Sequence, residues 1–467
     1  MKLFSIRAMA AIACASLRFL SAAQDTVGTT VPPKSMPPKA ETPKAAKGWI
    51  CAEGGGNANK GNWSDEVFGW MVEKSGKGAV AVIGAVPIEG DERIALFTKL
   101  GASSVISLVI DEKNADTPEI GDAIAKCKLI FIRGGDQSRY VNWWKGTATQ
   151  RAIIGVFEKG GVVGGTSAGC AVLGELVYDA RHGGLSPRDA LADARHPDLT
   201  LTHDFLSFVP DVLFDTHFTE RGRLPRLVVM LAREQVDTGR AFVGLGVDPR
   251  TAVCVGPDGI AEVRGEGTVT MLRLPALPKP GTPDEVQVAA GKPPRILRVG
   301  YTQMTSGYRF VAGSGEIVER PKWVRERMKE AERKPDSAGA GGKGGQQPVL
   351  PEVLRSLKDS VSRNNIEGLK LALFEVWRGE DISDMLRGGQ LWIAESTDHR
   401  SVCWHIGTQD APELYSGKVC ASVHLEVSRV GQSWVSPPAA GDGDAGGLAV
   451  IEGAVLSVLA AEKSPNK

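Results

Sequence analysis

Short apolar segments alternate with amphipathic or charged segments between residues 48 and 250, and this alternation restricts the fold more than any other feature of the chain. The apolar segments are Ala79 to Val86, Val105 to Ile110, Leu129 to Ile132 and Gly161 to Gly164. This pattern predicts an α/β fold in which a parallel sheet has helices on both faces. Ligands of such sheets bind at the carboxyl ends of the strands, so we expect the functional site there.

After Ala241 the apolar segments become shorter. They lie at Ala252 to Val255, Thr268 to Leu272 and Ile296 to Val299. Short strand-like segments of this kind are typical of a sheet edge or an antiparallel extension. We assign residues 48–320 as a whole to one catalytic domain.

The charge balance argues against two classes of partner. Lys plus Arg and Asp plus Glu both total 55, so the formal net charge is zero. No basic excess attracts the protein to nucleic acid or to an anionic lipid surface. Beyond the N-terminus, no segment approaches the roughly 20 apolar residues that span a bilayer, so we expect no membrane span.

The N-terminus resembles an export signal. Lys2 and Arg7 precede an apolar run, and the small residues Ser21-Ala22-Ala23 follow it. We predict a signal peptide over residues 1–23 and an exported protein, periplasmic or extracellular, that is soluble after cleavage. Residues 24–47 are rich in Pro and Lys, which predicts a disordered spacer.

A second compositional break separates the C-terminal region. Residues 334–348 are rich in glycine and predict a flexible linker, followed by a small α+β module of unknown function over 350–467. Cys403 and Cys420 in this module form either a disulfide or two buried free thiols. The six cysteines outside the signal peptide are too irregularly spaced for a disulfide scaffold or a zinc site.

The strongest local motif lies where a short apolar strand meets a predicted helix. Ser167 stands at this junction, between glycines at 165 and 169. A nucleophile elbow needs such glycines because the sharp turn brings backbone close to backbone, and the amide of Ala168 then faces an oxyanion. Glycine-rich turns also occur for packing or phosphate binding. Cys170 is a rival nucleophile that we interpret as a core residue.

A second motif follows the strand Leu129 to Ile132, where the chain reads Arg-Gly-Gly-Asp-Gln over 133–137. Such a paired-glycine loop is able to direct a backbone amide at a developing oxyanion. Gln137 adds a neutral amide that suits a substrate carboxylate or carbonyl. Taken alone, the loop is better explained as a tight turn.

A third motif places a base beside a group of cations. Asp215 and His217 precede Arg221, Arg223 and Arg226. Arg223 and Arg226 share one face of a predicted helix and are suited to a bidentate grip on a carboxylate. A solvated basic helix start accounts for the arginines but not for the neighbouring Asp215 and His217.

In this order, the three motifs resemble those of the cyanophycinases and the related aspartyl dipeptidases of the same serine-peptidase family. Members carry a Gly-Gly-Asp/Asn-Gln loop, a Gly-Thr-Ser-Ala-Gly elbow and an Asp-x-His-Phe-x-x-Arg-x-Arg-x-x-Arg-Leu block. The likeness extends to Ala52-Glu53-Gly54-Gly55-Gly56 and Gly244-Leu245-Gly246-Val247-Asp248, so it covers roughly residues 48–275.

The resemblance implies a flavodoxin-like fold related to class I glutamine amidotransferases, and a serine that attacks an amide bond next to an aspartyl residue without a metal or cofactor. It implies an acidic peptide or cyanophycin-like polymer as substrate, with release of β-aspartyl-arginine dipeptides, and it suggests a homodimer. Its implied site residues are Ser167 as nucleophile, His217 as base, the amides of Gly135 and Ala168 as oxyanion hole, and Gln137, Asp215, Arg223 and Arg226 as substrate contacts.

Two departures from the family pattern leave the acidic member of a triad open. Many members place an acid just beyond a Gly-Gly pair, whereas here Leu185 follows that pair; Asp179 and Asp189 are the nearest substitutes, unless there is none. The family also usually reads Gly-Ile-Asp-Glu-x-Thr-Ala, and this chain has Pro249 in place of the glutamate.

Three alternatives stay open on the sequence alone. An α/β-hydrolase fits the elbow, but its oxyanion motif precedes the nucleophile, whereas the His-Gly-Gly sequence here begins at His182, after it. A catalytically retired binding protein for aspartyl or arginyl peptides fits the missing acid. An α-aspartyl dipeptidase would use the same nucleophile and base on a different linkage.

Overall fold

A computed structural model of the chain describes residues 48–56, 63–218, 221, 223–277, 286–292 and 294–333, and five strands between residues 390 and 460. The predicted signal peptide, spacer and glycine-rich linker lie outside the described residues, as do residues 349–389 of the C-terminal module. These segments and the domain boundaries stay predictions. Within the described part, no helix is both long and apolar enough to cross a bilayer.

The first sheet is built from the predicted alternation of strands and helices. Its elements are β1 (Trp49–Glu53), α1 (Trp63–Lys74), β2 (Ala79–Gly84), α2 (Glu92–Lys99), β3 (Ser104–Val109), α3 (Pro118–Ala125), β4 (Leu129–Ile132), α4 (Gln137–Trp144), α5 (Ala148–Glu158) and β5 (Val162–Thr166). The parallel strands lie in the order β3-β2-β4-β5-β1. Strands β2 to β5 follow the flavodoxin order, and β1 lies beside β5. The predicted α/β class is confirmed.

Alternate residues of each central strand face opposite layers of helices. On β1, Ile50 and Ala52 belong to the core under α3, α4 and α5, whereas Cys51 belongs to the core under α1 and α2. This follows from the two-residue period of a strand. Because both faces are covered, the central strands are continuously apolar, as in the fully buried sequence of β4.

Antiparallel strands extend this sheet beyond β1. They are β10 (Thr251–Val255), β11 (Ile260–Gly265), β15 (Arg309–Val311) and β16 (Ile317–Glu319), followed by α9 (Lys322–Arg333). The strand predicted at Ala252 to Val255 is therefore confirmed as part of an antiparallel extension.

A second sheet, which the sequence pattern did not predict, begins directly after the Ser167 turn. Its first elements are α6 (Ala168–Ala171), β6 (Gly174–Tyr178), α7 (Pro187–Ala192), β7 (Leu201–Thr202), β8 (Val209–Asp215), α8 (Leu224–Thr238), β9 (Val243–Val247), β12 (Val269–Arg273), β13 (Val286–Gln287) and β14 (Arg295–Met304). Strands β6, β8 and β9 are parallel, whereas β9, β12 and β14 are antiparallel.

The described strands of the C-terminal region continue this second sheet. They are β17 (Gln390–Glu395), β18 (Val402–Gly407), β19 (Val423–Arg429), β20 (Gln432–Val435) and β21 (Ala449–Ala460). β21 pairs with β14 and with β19, so the sheet runs without interruption into this region. Cys403 lies on β18, but Cys420 is outside the described residues, so their pairing stays a prediction.

Candidate active site

Ser167 occupies the sharp turn that was predicted between a strand and a helix. β5 ends at Thr166, α6 begins at Ala168, and Ser167 between them has φ 51° and ψ −116°. A positive φ is uncommon for a residue with a side chain and is often associated with functional sites. The backbone at Ser167 thus has the strained geometry of a nucleophile elbow.

The glycines around Ser167 are required by close backbone contacts. A Cβ atom on Gly165 would lie 2.4 Å from the carbonyl oxygen of Gly169. A Cβ atom on Gly169 would lie 2.1 Å from the carbonyl oxygen of Ile132, at the end of β4. The turn is therefore packed against itself and against the neighbouring strand, which fixes the position of the Ser167 hydroxyl.

His217 reaches Ser167 from the second sheet. It lies just beyond β8, and its Nε2 atom is 3.0 Å from the Oγ atom of Ser167. Phe218, the next residue, packs onto Gly246 of β9, where a Cβ atom would lie 2.4 Å from the phenyl ring. The structure therefore brings the two predicted catalytic residues within hydrogen-bonding distance, although 50 positions separate them in sequence.

The end of β1 contacts both predicted catalytic residues. The carbonyl oxygen of Glu53 accepts a hydrogen bond from the amide of Ser167 (3.0 Å), and that of Gly54 accepts one from the amide of His217 (2.8 Å). Gly55 lies against the imidazole ring, since a Cβ atom there would be 2.4 Å from its Nε2 atom. The ring therefore leaves no space for a side chain at residue 55.

The predicted paired-glycine loop lies beside the nucleophile. A Cβ atom on Gly134 would lie 3.3 Å from the Cβ atom of Ser167. Gly135 has φ 145°, and the hydroxyl of Tyr140 lies within hydrogen-bonding distance of the carbonyl oxygens of Arg133 (2.8 Å) and Gly134 (3.0 Å). The Tyr140 hydroxyl thus stabilises the conformation of this loop. An oxyanion hole formed by the amides of Gly135 and Ala168 stays a prediction.

Gln137 begins α4 at the same edge of the sheet. Its side chain is half-buried, and its Nε2 atom donates a hydrogen bond to the carbonyl oxygen of Tyr178 at 3.4 Å. Asp136 caps the helix by accepting a hydrogen bond from the amide of Ser138. Gln137 therefore lies between the paired-glycine loop and the end of β6.

Asp215 is buried and forms a bidentate ion pair with Arg226. The Nε atom of Arg226 donates to one carboxylate oxygen at 2.8 Å, and its Nη2 atom donates to the other at 2.5 Å. Burial opposes ionisation of Asp215, but Arg226 and Arg223 outweigh it and hold its pKa below the ordinary value. The arginine pair expected to grip a substrate carboxylate thus holds a carboxylate of the chain itself.

Arg223 is the more accessible of the two arginines. Its Nη1 atom donates to the carbonyl oxygen of Thr216 at 2.7 Å and lies 3.4 Å from Asp215. Burial and the nearby Arg226 lower the pKa of Arg223, and Asp215 partly compensates. The roles of Gln137, Asp215, Arg223 and Arg226 as substrate contacts stay predictions.

The two candidate acids near the Gly-Gly pair are engaged with other groups. Asp179 is buried and accepts hydrogen bonds from the hydroxyls of Thr200 and Thr202 and from Arg181. Asp189 lies in the first turn of α7, where it bonds to the capping residue Ser186. Both carboxylates therefore have local structural roles.

The position where the family carries a glutamate is occupied by Pro249. The amide of Arg250 donates to the carbonyl oxygen of Gly55 at 2.7 Å, so this segment packs against the same glycines that contact His217. Asp248 points elsewhere and accepts hydrogen bonds from the amide and hydroxyl of Thr268. The segment keeps its place at the site but contributes no carboxylate through residue 249.

Two contributors to the site were missed from the sequence. Glu53 is fully buried at the end of β1, and its Oε1 atom has no hydrogen-bond partner among the described residues. Burial raises its pKa from 4.5 to about 7, against the opposing effects of the Thr166 hydroxyl, Arg93 and the Gly55 amide. A charged residue at the end of an apolar strand was the available signal for Glu53. Tyr140, in an ordinary helical pattern, gave none.

Cys170 has the environment of a core residue. Its side chain is fully buried within the main hydrophobic core. Burial raises the pKa of its thiol well above the ordinary value, which disfavours the nucleophilic thiolate. The interpretation of Cys170 as packing is in line with this environment.

Comparison with known proteins places this site in an enzyme family. The profile described as Peptidase family S51 matches residues 90–260, which include Ser167 and His217. A cyanophycinase of Geminocystis herdmanii is 31% identical over 204 residues, covering 42% of this chain and 70% of that protein. One from Synechococcus elongatus is 32% identical over 204 residues, covering 42% of this chain and 59% of that protein.

Among solved structures, a peptidase from an acI-B1 actinobacterium aligns with 57% of this chain and 98% of its own, with a TM-score of 0.39 and 18% identity. The sequence comparisons, the elbow at Ser167 and the adjoining His217 agree with one another. The chain belongs to the cyanophycinase family of serine-type peptidases, Peptidase family S51.

Proposed function

We propose that this peptidase is exported and hydrolyses aspartyl peptide bonds, of the β-aspartyl-arginine type, through an acyl-enzyme on Ser167. The observation that carries the proposal is the 3.0 Å separation of Ser167 Oγ and His217 Nε2 at a strained elbow. Nucleophile and base within hydrogen-bonding reach are the minimum arrangement for acyl transfer.

In the first half of the reaction, Ser167 Oγ attacks the scissile carbonyl carbon while its proton passes to His217 Nε2. The carbonyl π electrons move to oxygen, and the amides of Gly135 and Ala168 stabilise that oxyanion. Collapse of the intermediate breaks the C–N bond, and His217 returns the proton to the leaving amine. The acyl group remains on Ser167.

In the second half, His217 removes a proton from water as the water attacks the acyl carbon. The ester bond breaks, the proton returns to Ser167 Oγ, and the carboxylic acid is released. Throughout, the amide of His217 is held by Gly54 and its ring by Gly55. Fixed backbone contacts of this kind limit the reorganisation that each proton transfer needs.

The proposed substrate class rests on the charges near His217 and on the names of the relatives. Arg223 presents a partly exposed guanidinium beside the base, which suits the carboxylate of an aspartyl unit. Gln137, whose side-chain amide lies at the end of β6, suits a neutral carbonyl. Asp215 and Arg226 are paired with each other, so we assign them to positioning Arg223 and the His217 turn.

The test is hydrolysis of a polymer of aspartate with β-linked arginine, and of short β-aspartyl and α-aspartyl peptides, followed by mass spectrometry of the products. We expect β-aspartyl-arginine release that falls about a thousandfold or more in Ser167→Ala. Cys170→Ala is the matched control and should retain activity within a few-fold. If the enzyme hydrolyses α-aspartyl peptides but no β-aspartyl substrate, the proposed β-aspartyl specificity is wrong.

A retired binding protein is favoured by the missing acid, since Leu185 follows the Gly-Gly pair where many family members carry the acidic residue of the triad. The same assay separates the two functions. Binding of the peptides to wild type with no Ser167-dependent turnover would establish the binding protein and overturn the peptidase.

A further inference from the structure

Two cysteines face each other across the first sheet, close to the catalytic residues. Cys51 on β1 and Cys254 on β10 are direct partners in the antiparallel register, and their Sγ atoms are 3.9 Å apart. Both side chains are buried, in the core under α1 and α2. Cys51 lies two residues before Glu53, whose carbonyl oxygen accepts a hydrogen bond from the amide of Ser167.

The backbone geometry at this pair suits a disulfide. In the same register, the amide of Gly54 donates to the carbonyl oxygen of Thr251 at 2.9 Å, which makes Gly54 and Thr251 a hydrogen-bonded pair. Hydrogen-bonded and non-hydrogen-bonded pairs alternate along antiparallel strands, so Cys51 and Cys254 form a non-hydrogen-bonded pair. The Cα atoms of such pairs are about 4.5 Å apart, within the roughly 4.4–6.8 Å range of natural disulfides.

We propose that Cys51 and Cys254 are a modification site, at which a disulfide covalently joins β1 to β10. This proposal is independent of the proposed peptidase activity. The oxidant is a disulfide compound, such as glutathione disulfide or a dithiol–disulfide oxidoreductase.

The exchange balances in two steps. One cysteine thiolate attacks a sulfur of the oxidant's disulfide, which forms a mixed disulfide and releases one reduced thiol. The second cysteine thiolate then attacks the sulfur of the first cysteine, forms the Cys51–Cys254 bond and releases the other reduced thiol. The two cysteines lose two electrons and two protons, and the oxidant gains them.

The burial of the pair determines when this exchange takes place. The hydrogen bond with Cys254, together with burial, raises the pKa of the Cys51 thiol well above its ordinary value. Thiol exchange needs a thiolate and access for the oxidant. We therefore place the reaction during folding, before α1 and α2 cover this face of the sheet.

The cross-link would secure the strand that holds the catalytic pair. The end of β1 accepts hydrogen bonds from the amides of both Ser167 and His217. The carbonyl oxygen of Thr251 on β10 accepts a hydrogen bond from the amide of Gly54. A covalent bond between β1 and β10 therefore opposes separation of these strands, and with it the loss of the 3.0 Å contact between nucleophile and base.

The test begins with the full chain folded in a glutathione redox buffer. The protein is denatured, alkylated and digested, and the peptides are analysed by mass spectrometry. We expect a cross-linked peptide pair containing Cys51 and Cys254, lighter than the two free peptides by two hydrogen atoms and lost after reduction. Cys127→Ser is the matched control and should retain it. Complete alkylation of Cys51 and Cys254 after oxidative folding would overturn the proposal.

Thermal unfolding gives a second readout that does not depend on variants folding well. Reduction of wild type should lower its Tm by about 5–10 °C, because a cross-link between distant residues restricts the unfolded chain. A Cys51→Ala/Cys254→Ala double variant should lose less Tm on reduction than wild type, since it lacks this bond. An equal Tm for oxidised and reduced wild type would contradict the proposed bond.

Discussion

Two buried carboxyl groups lie close to the proposed catalytic residues, and their surroundings shift their pKa values in opposite directions. Asp215, in the second sheet two residues before His217, is held by Arg226 and Arg223, which lower its pKa. Glu53, in the first sheet beside Ser167, is also buried, its Oε1 atom has no partner in the described part of the chain, and its pKa is about 7. Burial is common to both, so the ion pair accounts for the difference.

The comparison extends to how each sheet positions its catalytic residue. Ser167 is fixed by backbone contacts at glycines, which leave no space for side chains. His217 lies in a turn bordered by a buried network of charges. We therefore expect the nucleophile to be sensitive to added volume and the base to be sensitive to changes of charge.

Loss of the ion pair in the second sheet should have the largest effect on stability. Arg226→Met leaves the buried Asp215 carboxylate with the longer ion pair to Arg223 and the hydrogen bond from the Thr216 amide, and breaking a buried ion pair in this way costs about 3–5 kcal/mol. The measurement is the free energy of unfolding in urea. Arg233→Met, which breaks a more exposed pair with Asp237 on the same helix, is the control and should cost less than about 1 kcal/mol. Equal losses would contradict the importance of burial.

The first sheet should show the opposite response, because its carboxyl group opposes folding once it is ionised. The folded-state pKa of Glu53 is raised, so the folded protein binds more protons than the unfolded chain between pH 4.5 and about 7. The contribution of Glu53 to the free energy of unfolding should therefore fall by about 3 kcal/mol in total as the pH rises through that window.

Glu53→Gln removes that titration and should be more stable than wild type above pH 7, with the advantage vanishing near pH 4.5. Unfolding free energies at pH 5 and pH 8 provide the measurement. A constant difference between the two proteins at both pH values would rule out titration of Glu53 in this range.

Added volume at the nucleophile should cost less stability but more activity. In Gly169→Ala the new methyl group would meet the carbonyl oxygen of Ile132, so we expect a loss of about 1–3 kcal/mol and a large fall in kcat. Gly155→Ala on α5 is the control. A Cβ atom added there would meet no atom of another described element within 4 Å, so this variant should be neutral or stabilising. Unchanged kcat in Gly169→Ala would show that the elbow tolerates displacement.

The proximity of the two candidate catalytic residues was more predictable from sequence than the contacts around them. Ser167 and His217 belong to local motifs that combine paired glycines with neighbouring charges, a combination that packing alone does not require, and the structure brings the two side chains together. The strands of the first sheet were predictable for a similar reason, since burial on both faces requires continuous apolar runs.

What the sequence left open depends on contacts between distant segments. Arg223 and Arg226 have the same spacing whether they bind a substrate carboxylate or Asp215, and only the folded chain distinguishes the two. Likewise, the unpaired Oε1 atom of Glu53 follows from packing around β1. Strands at Thr268 to Leu272 and Ile296 to Val299 were expected, but they belong to the second sheet, because an apolar pattern does not show which strands pair with each other.

The smallest expected effect concerns the arginine that the ion pair leaves partly exposed. Arg223→Lys keeps the charge but loses the planar, bidentate geometry, so KM for an aspartyl peptide should rise about tenfold with little change in kcat. Steady-state kinetics provide the measurement, and Arg221→Lys, an exposed neighbour, is the control. A fall in kcat at constant KM would mean that Arg223 acts on the transition state or on the position of His217. In that case the charged network of the second sheet would serve the base alone, and the substrate carboxylate would be bound by other groups.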